Sequence, residues 1–595
     1  MDYGPALEAA IECAYRAGTI LRREFYRGGG PRSLSGRCVA DDEAEHCIRE
    51  RLLSAFPSWA FWGRVLGRLG PDHASHRWVV EAHDGAESMV RGHRGAALSI
   101  ALETEGEAVL GVIHAYAPPI GSGDLTAWAR GCGPLRHNAD VSPRQWADDL
   151  GPEHTVMSPL CSDACLESIV KLAAPARVRS IPSPAYRFAL ALAGRAEAAI
   201  AFSSEEPESV LERVAVAVHA LARGVDGYFV QAPGGRSLVA SRSIVNDLRR
   251  LRWDLRNEDE PCSDVLAAPR PDRIADPDVY PLDRAQGVLL GLLIGDALGS
   301  LVEFRSARSI RENYPDGIRH IVDGGTWGTL GGQPTDDGEL ALSLARCLLR
   351  EGTYRPERVL EVYRRWYDSN PFDVGATIGQ AFGYGMPSSF SQANGALMRI
   401  APLAIAGWRA GDAHLLTWAG EDALLSHPHP ICRVANIVYV AAIAAALRGD
   451  ADPWAMHRSA LAALSSPAAL QADEGVEPVR TRLRSAEHQE PPPLDGSRQG
   501  WVLYALHNAF FELLHADGFE DGLVRTVQRG GDTDTNGAIT AALLGARFGA
   551  AAIPHRWVDR VLTCRPLPYT STRHPRPPCY WPIDALVLAE QLLFL

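Results

Sequence analysis

Hydrophobic and polar positions divide the chain into two regimes. Up to about residue 235, a helical stripe over Leu7–Phe25 is followed by short apolar runs at Trp78–Val80, Ala97–Leu102 and Val109–His114. Apolar residues three and four apart mark a helix with one buried face, whereas short runs bounded by turn residues mark strands. Residues 1–235 are therefore expected to form a layered α/β domain. From Arg284 onward the period is helical: Ala285–Leu298, Glu339–Arg350, Arg355–Tyr367, Ala413–Leu425, Val434–Leu447, Gly500–Leu514, Gly537–Arg547 and Ile583–Leu593. An all-α domain is expected over residues 281–595. Between the two, residues 236–280, with "RPDRIADPDVYPLD", hold no sustained period and read as a linker, and Glu490–Leu494 ("EPPPL") reads as a surface loop.

Length agrees with a multidomain chain, because single cores stop growing at roughly 250–300 residues and this chain has 595. An apolar share of 46% with 22% charged residues is globular. Val434–Leu447, the longest apolar run, contains Asn436 and falls short of the roughly 20 residues a span needs, so a buried helix and no membrane insertion are expected. The N-terminus shows no cationic and apolar leader, which points to a cytoplasmic protein. A net charge of −13 argues against general nucleic-acid binding. The eleven cysteines, of which Cys161 and Cys165 are closest, lack metal-ligand spacing and read as reduced thiols.

Two predicted helices carry a stripe of small residues: Gly287, Gly291, Gly295 and Gly299 on one, Gly537, Ala541, Gly545 and Gly549 on the other. Positions four apart share a helix face. Glycine there costs about 1 kcal/mol against alanine, and close backbone approach of the two helices is the expected compensation. Acids sit at helix starts: Thr335-Asp336-Asp337 before Glu339–Arg350, and Asp532-Thr533-Asp534-Thr535 before Gly537–Arg547. N-capping explains one such residue per helix. Two carboxylates and a threonine at each start offer the hard oxygen donors that Mg²⁺ or Mn²⁺ requires, and without a cation the four acids would repel one another.

"GLLIGDALGSLVEF" (Gly291–Phe304), "PTDDGELALSLARCLL" (Pro334–Leu349), "PFDVGAT" (Pro371–Thr377), "NGALMRIAPLAI" (Asn394–Ile405), "SHPHP" (Ser426–Pro430) and "GGDTDTNGAITAALLGA" (Gly530–Ala546) resemble, in matching order, the ADP-ribosylglycohydrolases, including the dinitrogenase-reductase-activating type. The resemblance implies that family's all-α fold and a centre of two divalent cations, Mg²⁺ or Mn²⁺, ligated by Thr335, Asp336, Asp337, Asp532, Asp534 and Thr535. It implies catalytic roles for Glu303 and Asp373, and an ADP-ribose site lined by His427, Asn394 and Gly395, with Arg399 structural. The competing readings are a solvated helix end for Glu303, a turn residue for Asp373 and a capping or core histidine for His427. The implied activity is hydrolysis of the bond joining ADP-ribose to an acceptor on a protein or small molecule, arginine favoured. The alternative is an ADP-ribose-binding module without catalysis.

"VADDEAEHCIRERLLSAFPSWAFWGR" (Val39–Arg64), "WVVEAHDGAESMVRG" (Trp78–Gly92), "ALSIALETEGEAVLGVIHA" (Ala97–Ala115) and "ALALAGRAEAAI" (Ala189–Ile200) resemble inositol monophosphatases. By that resemblance the metal-binding positions are degraded. Arg64 and Val65 stand where acids belong, Glu81 replaces an Asp, Ala82 a Pro and Ala86 a Thr, while Asp84 stays in register and Leu211-Glu212 replaces Trp-Asp. An arginine among metal ligands opposes a cation, so a pseudoenzyme domain is expected. Phosphatase activity from residues 1–235 is the competing reading.

Overall fold

The computed structural model describes residues 2–34, 37–71, 73–138, 145–160, 168–171, 173–202, 208–232, 236–241, 243–244 and 266–595; Cys161 and Cys165 lie outside these. The chain forms two compact units, Met1–Ser263 with Pro269–Ile274, and Asp264–Ala268 with Ala275–Leu595.

The first unit is layered α/β. Its strands are β1 (Ser33–Leu34), β2 (Arg37–Cys38), β3 (Ala60–Gly63), β4 (Gly67–Leu69), β5 (His76–Asp84), β6 (Ala97–Thr104), β7 (Glu107–Ala115), β8 (Asp124–Ala129), β9 (Arg136–His137), β10 (Thr155–Ser158), β11 (Arg177–Ser180), β12 (Ala198–Phe202), β13 (Tyr228–Ala232) and β14 (Arg236–Ala240). One sheet runs β4-β3-β5-β6-β7-β8-β9 and a second β11-β10-β12-β14-β13. Successive side chains on a strand point to opposite faces. Accordingly Val80, Ile100 and Val112 pack with helices Gly4–Phe25 and Asp41–Ala55, while Val79, Ala101 and Ile113 pack with helices Pro184–Leu192 and Glu208–Arg223. Both faces are covered, so these strands read as continuous apolar runs. The segment expected as linker begins with β14, which pairs antiparallel with β12 and β13. Its alternation is too short to distinguish from a loop by pattern.

The second unit is helix-rich. At its centre helices Leu282–Gly299 and Thr533–Phe548 run antiparallel, with Gly287 against Gly545, Gly291 against Ala541, Gly295 against Gly537 and Gly299 against Thr533. A Cβ at Gly291 would lie 2.8 Å from the Ala541 carbonyl carbon, and one at Gly545 would meet the Gly287 carbonyl group. Only a missing side chain admits this approach, which offsets the helical cost of glycine. Helix Pro430–Leu447 is long and apolar enough by composition to cross a membrane, yet 83% of it is buried within the unit. Helices Ala376–Tyr384, Pro453–Ala463, Val476–Ser485, Phe519–Gln528 and His555–Leu562 were not legible from periodicity, being short. Glu490–Leu494 is a loop, but Pro491 and Leu494 are buried and Leu494 N donates to Arg529 O at 2.9 Å.

Candidate active site

The antiparallel glycine pair sets the end of one helix beside the start of the other, where Thr533 Oγ1 donates to Gly299 O at 2.7 Å. Beyond Gly299 the chain turns, and Phe304 N donates to Gly531 O (2.7 Å) while Gly531 N donates to Arg305 O (2.9 Å). These bonds stitch the turn carrying Glu303 to the loop carrying Asp532. Carboxylate oxygens of Glu303, Asp532 and Asp534 lie within 4.8 Å of one another. Glu303 is buried and accepts Trp327 Nε1 at 2.6 Å, so it is not a solvated helix end. Next to it Phe304 holds φ at +64°, a left-handed conformation that strains a bulky residue.

The second acidic cluster opens helix Asp336–Glu351, whose start is fixed by a residue that sequence reasoning did not single out. Asp296 accepts Thr335 N (3.0 Å), Thr335 Oγ1 (2.9 Å) and Gly338 N (3.0 Å). It caps the helix from its neighbour. Thr335 and Asp532, at the N-cap positions of their helices, make no side-chain capping bond, so capping does not account for the clusters. Thr535 Oγ1 donates to Asp337 Oδ2 at 3.2 Å and Thr335 Oγ1 reaches the same oxygen at 3.3 Å. Asp337 thus joins the two clusters, while its Oδ1 is buried without a donor. Asp336 Oδ2 accepts Gly375 N at 3.2 Å, which holds the loop bearing half-buried Asp373.

Burial, and then the neighbouring carboxylates, raise Glu303 to about 7 and Asp336 to about 8, and push Asp337, Asp373 and Asp534 up as well. Burial also raises Asp532. Among the described residues no lysine or arginine is paired with these six acids. Converging carboxylates, buried apart from half-buried Asp373 and Asp532 and one of them with an orphaned oxygen, fit hard divalent cations. Both acids of each cluster, and both threonines expected as ligands, are therefore brought together.

Asn394 and Gly395 form a turn facing the same centre: Asn394 Nδ2 donates to Asp532 Oδ2 at 2.7 Å. His427 is fully buried, with Nδ1 on Ser426 Oγ at 2.9 Å and Nε2 unpartnered. Its ring lies against Gly395, where a Cβ would come within 3.0 Å of Cε1. Burial lowers it to about 3, so it is a neutral imidazole. Arg399 is also buried, pairs with Asp422 at 3.0 Å and donates to Gly395 O at 2.9 Å; its role is structural. Of the residues missed, Asp296 carried a signal, a carboxylate within an apolar glycine-striped helix. Trp327, in a loop, carried none.

In the first unit the corresponding acids are occupied by the chain itself. Glu81, with no exposed surface, receives Arg213 Nε (2.9 Å) and Nη2 (2.6 Å) on one oxygen, with Arg64 Nη1 at 3.8 Å from the other. Asp84 accepts Ser183 Oγ (2.5 Å) and Ala185 N (2.7 Å). Glu212 is exposed.

The ADP-ribosylglycohydrolase family model matches residues 277–573. Over 292 residues the chain is 30% identical to the ADP-ribosyl-[dinitrogen reductase] glycohydrolase of Rhodospirillum rubrum, spanning 47% of this chain and 90% of that protein. The chain belongs to the ADP-ribosylglycohydrolase family. Another relative is the ADP-ribosylarginine hydrolase Tri1 of Pseudomonas putida (strain GB-1), 26% identical over 298 residues, 47% of this chain and 74% of that one. Residues 2–257 match the inositol monophosphatase family model, so the N-terminal unit is a domain of that family. The Inositol-1-monophosphatase of Rhizobium meliloti (strain 1021) is 33% identical over 112 residues, 18% of this chain and 42% of that protein. Both families are divalent-metal dependent.

Proposed function

We propose that the C-terminal unit hydrolyses the glycosidic bond between ADP-ribose and an arginine side chain of a modified protein. The observation that carries this reading is the join of the two clusters at Asp337, with Glu303 beside them and, among the described residues, no protein cation to neutralise them. The name of the Tri1 relative supports arginine as the acceptor. Thr335, Asp336, Asp337, Asp532, Asp534 and Thr535 would hold two Mg²⁺ or Mn²⁺ ions. Bound there, the cations would supply positive charge that binds and orients the hydroxyls of the distal ribose.

The chain's own groups would do the rest. Asn394, Gly395 and the unpartnered Nε2 of neutral His427 offer hydrogen bonds to the ADP-ribose. Cleavage builds oxocarbenium character at the ribose carbon, which the surrounding carboxylates favour. Glu303 and Asp373 form the proton-handling pair, one taking a proton from the attacking water and the other delivering one to the leaving nitrogen. In the N-terminal unit the guanidinium of Arg213 stands where a cation would neutralise Glu81, and we read that unit as a phosphatase domain without phosphatase chemistry.

The test is release of free ADP-ribose from arginine- and serine-ADP-ribosylated peptides, with Mg²⁺ and with chelator. Metal-dependent release from the arginine peptide, lost in Asp336→Ala and Asp534→Ala with helical content unchanged, is expected. Retained turnover in either variant would overturn the two-cluster centre. Binding of ADP-ribose with no release from any peptide would make the unit a reader of the modification.

A further inference from the structure

The N-terminal unit holds a second constellation of donors that its phosphatase ancestry does not explain. Cys38 ends β2, Asp41 opens helix Asp41–Ala55, and His83 lies near the end of β5. All three are buried, and one ligand atom from each lies within 4.8 Å of the others. His83 Nδ1 is 2.5 Å from Asp41 Oδ1, and Tyr116 OH is 2.7 Å from His83 Nε2. Cys38 Sγ accepts the Ala40 N–H at 3.4 Å. Asp41 is 3% exposed, yet its Oδ2 has no hydrogen-bond partner. That orphaned oxygen is costly unless something binds it.

We propose that Cys38, Asp41 and His83 form a zinc site in the N-terminal unit, distinct from the oxygen-only centre of the C-terminal unit. The donor set decides the ion. A thiolate, an imidazole and a carboxylate select a borderline-soft tetrahedral ion, whereas Mg²⁺ and Mn²⁺ take oxygen ligands. Bonds of about 2.0–2.3 Å in a tetrahedron put ligand atoms some 3.4 Å apart. The Asp41 and His83 atoms, 2.5 Å apart, therefore separate by about 0.9 Å, and with all three atoms within 4.8 Å of one another no pair contracts by more than about 1.4 Å, which side-chain rotation supplies.

Binding is balanced in protons. The Cys38 thiol, which burial pushes up to about 12 in the free chain, releases its proton to solvent as the thiolate joins the metal. With Nδ1 of His83 on the metal, its Nε2–H donates to the Tyr116 hydroxyl oxygen, 2.7 Å away. Tyr116 so becomes the outer partner that orients the imidazole. Three protein ligands leave a fourth position for water. The phosphatase resemblance assigns no ligand role to Cys38 or to the His83 imidazole, and Glu81, two residues before His83 on β5, is met by the Arg213 guanidinium rather than by these donors.

The test is a Co²⁺ titration of the full chain after chelator treatment. Carboxylate sites give weak visible bands, but a cysteine ligand adds an intense sulfur-to-cobalt band in the near ultraviolet. One equivalent of this band is expected, bleached by Zn²⁺ but not by excess Mg²⁺, kept in Asp534→Ala, and lost in Cys38→Ser. X-ray absorption at the zinc edge, on Asp534→Ala loaded with one equivalent, needs no change at Cys38 and is expected to show one sulfur at about 2.3 Å. No charge-transfer band in the unmodified chain, a band that survives Cys38→Ser, or a zinc shell of nitrogen and oxygen only would each overturn the proposal. None of these outcomes depends on hydrolysis by the C-terminal unit.

Discussion

At the scale of single residues, the two units show two ways of treating buried carboxylates. Glu81 is met by the fork of Arg213, an internal cation that needs no ligand. Among the described residues the six acids of the C-terminal site have no such partner, and burial raises all of them above the ordinary carboxylate range. Removing the fork leaves buried Glu81 with Arg64 Nη1, 3.8 Å from its other oxygen, and breaking a buried pair costs about 3–5 kcal/mol. Arg213→Met is therefore expected to lower the denaturant midpoint of the N-terminal unit by a corresponding amount. Arg213→Lys, which keeps the charge and loses the fork, is expected to fall between. Asp296 acts on the other centre through the start of helix Asp336–Glu351. Its replacement by Ala orphans Thr335 N and Gly338 N, at about 1–3 kcal/mol for each buried donor left without a partner. Urea denaturation reads that loss directly.

At the scale of elements, the site exists because two helices meet backbone to backbone. The contact at Gly291 is with the Ala541 carbonyl group, which cannot rotate away as a side chain can. Gly291→Ala is expected to destabilise the C-terminal unit by about 1–3 kcal/mol, the usual cost of an added methyl in a packed core, despite alanine's better helix propensity. Metal affinity should fall with it, because the shift separates Asp534 from Glu303. A calorimetric comparison of Mg²⁺ binding by the variant and the parent checks this. Unchanged stability and affinity would mean that the glycine stripe is not what sets the approach.

At the scale of the whole molecule, the acids couple metal binding to pH. Glu303 at about 7 and Asp336 at about 8 lie above the roughly 4 of an unfolded carboxylate. A carboxylate whose folded pKa is raised favours the fold below its unfolded pKa, and that contribution is lost as pH climbs through the folded pKa. Without metal the C-terminal unit is therefore expected to lose stability between about pH 4 and about pH 8. Bound cations remove this penalty, so the gap in Tm between Mg²⁺-loaded and chelated protein is expected to widen from about pH 5 to about pH 8. Thermal denaturation at several pH values measures it, and a constant gap would show that these acids are already neutralised from within.

The sequence by itself determined the two-domain division, the α/β and helix-rich characters, and the acid clusters at helix starts, because hydrophobic period and residue chemistry are local properties. The glycine stripe even predicted the close helix pair, since spacing of four fixes a face. It did not determine β14, whose strand character comes from its partners β12 and β13. Nor did it show that Asp296, thirty-nine residues before Thr335, takes the capping bonds of helix Asp336–Glu351. The pairing of Arg213 with Glu81, and the meeting of Cys38, Asp41 and His83, likewise join residues far apart in the chain. Such pairings depend on which side chains converge once the sheets and helices have packed, and only the tertiary structure decides that.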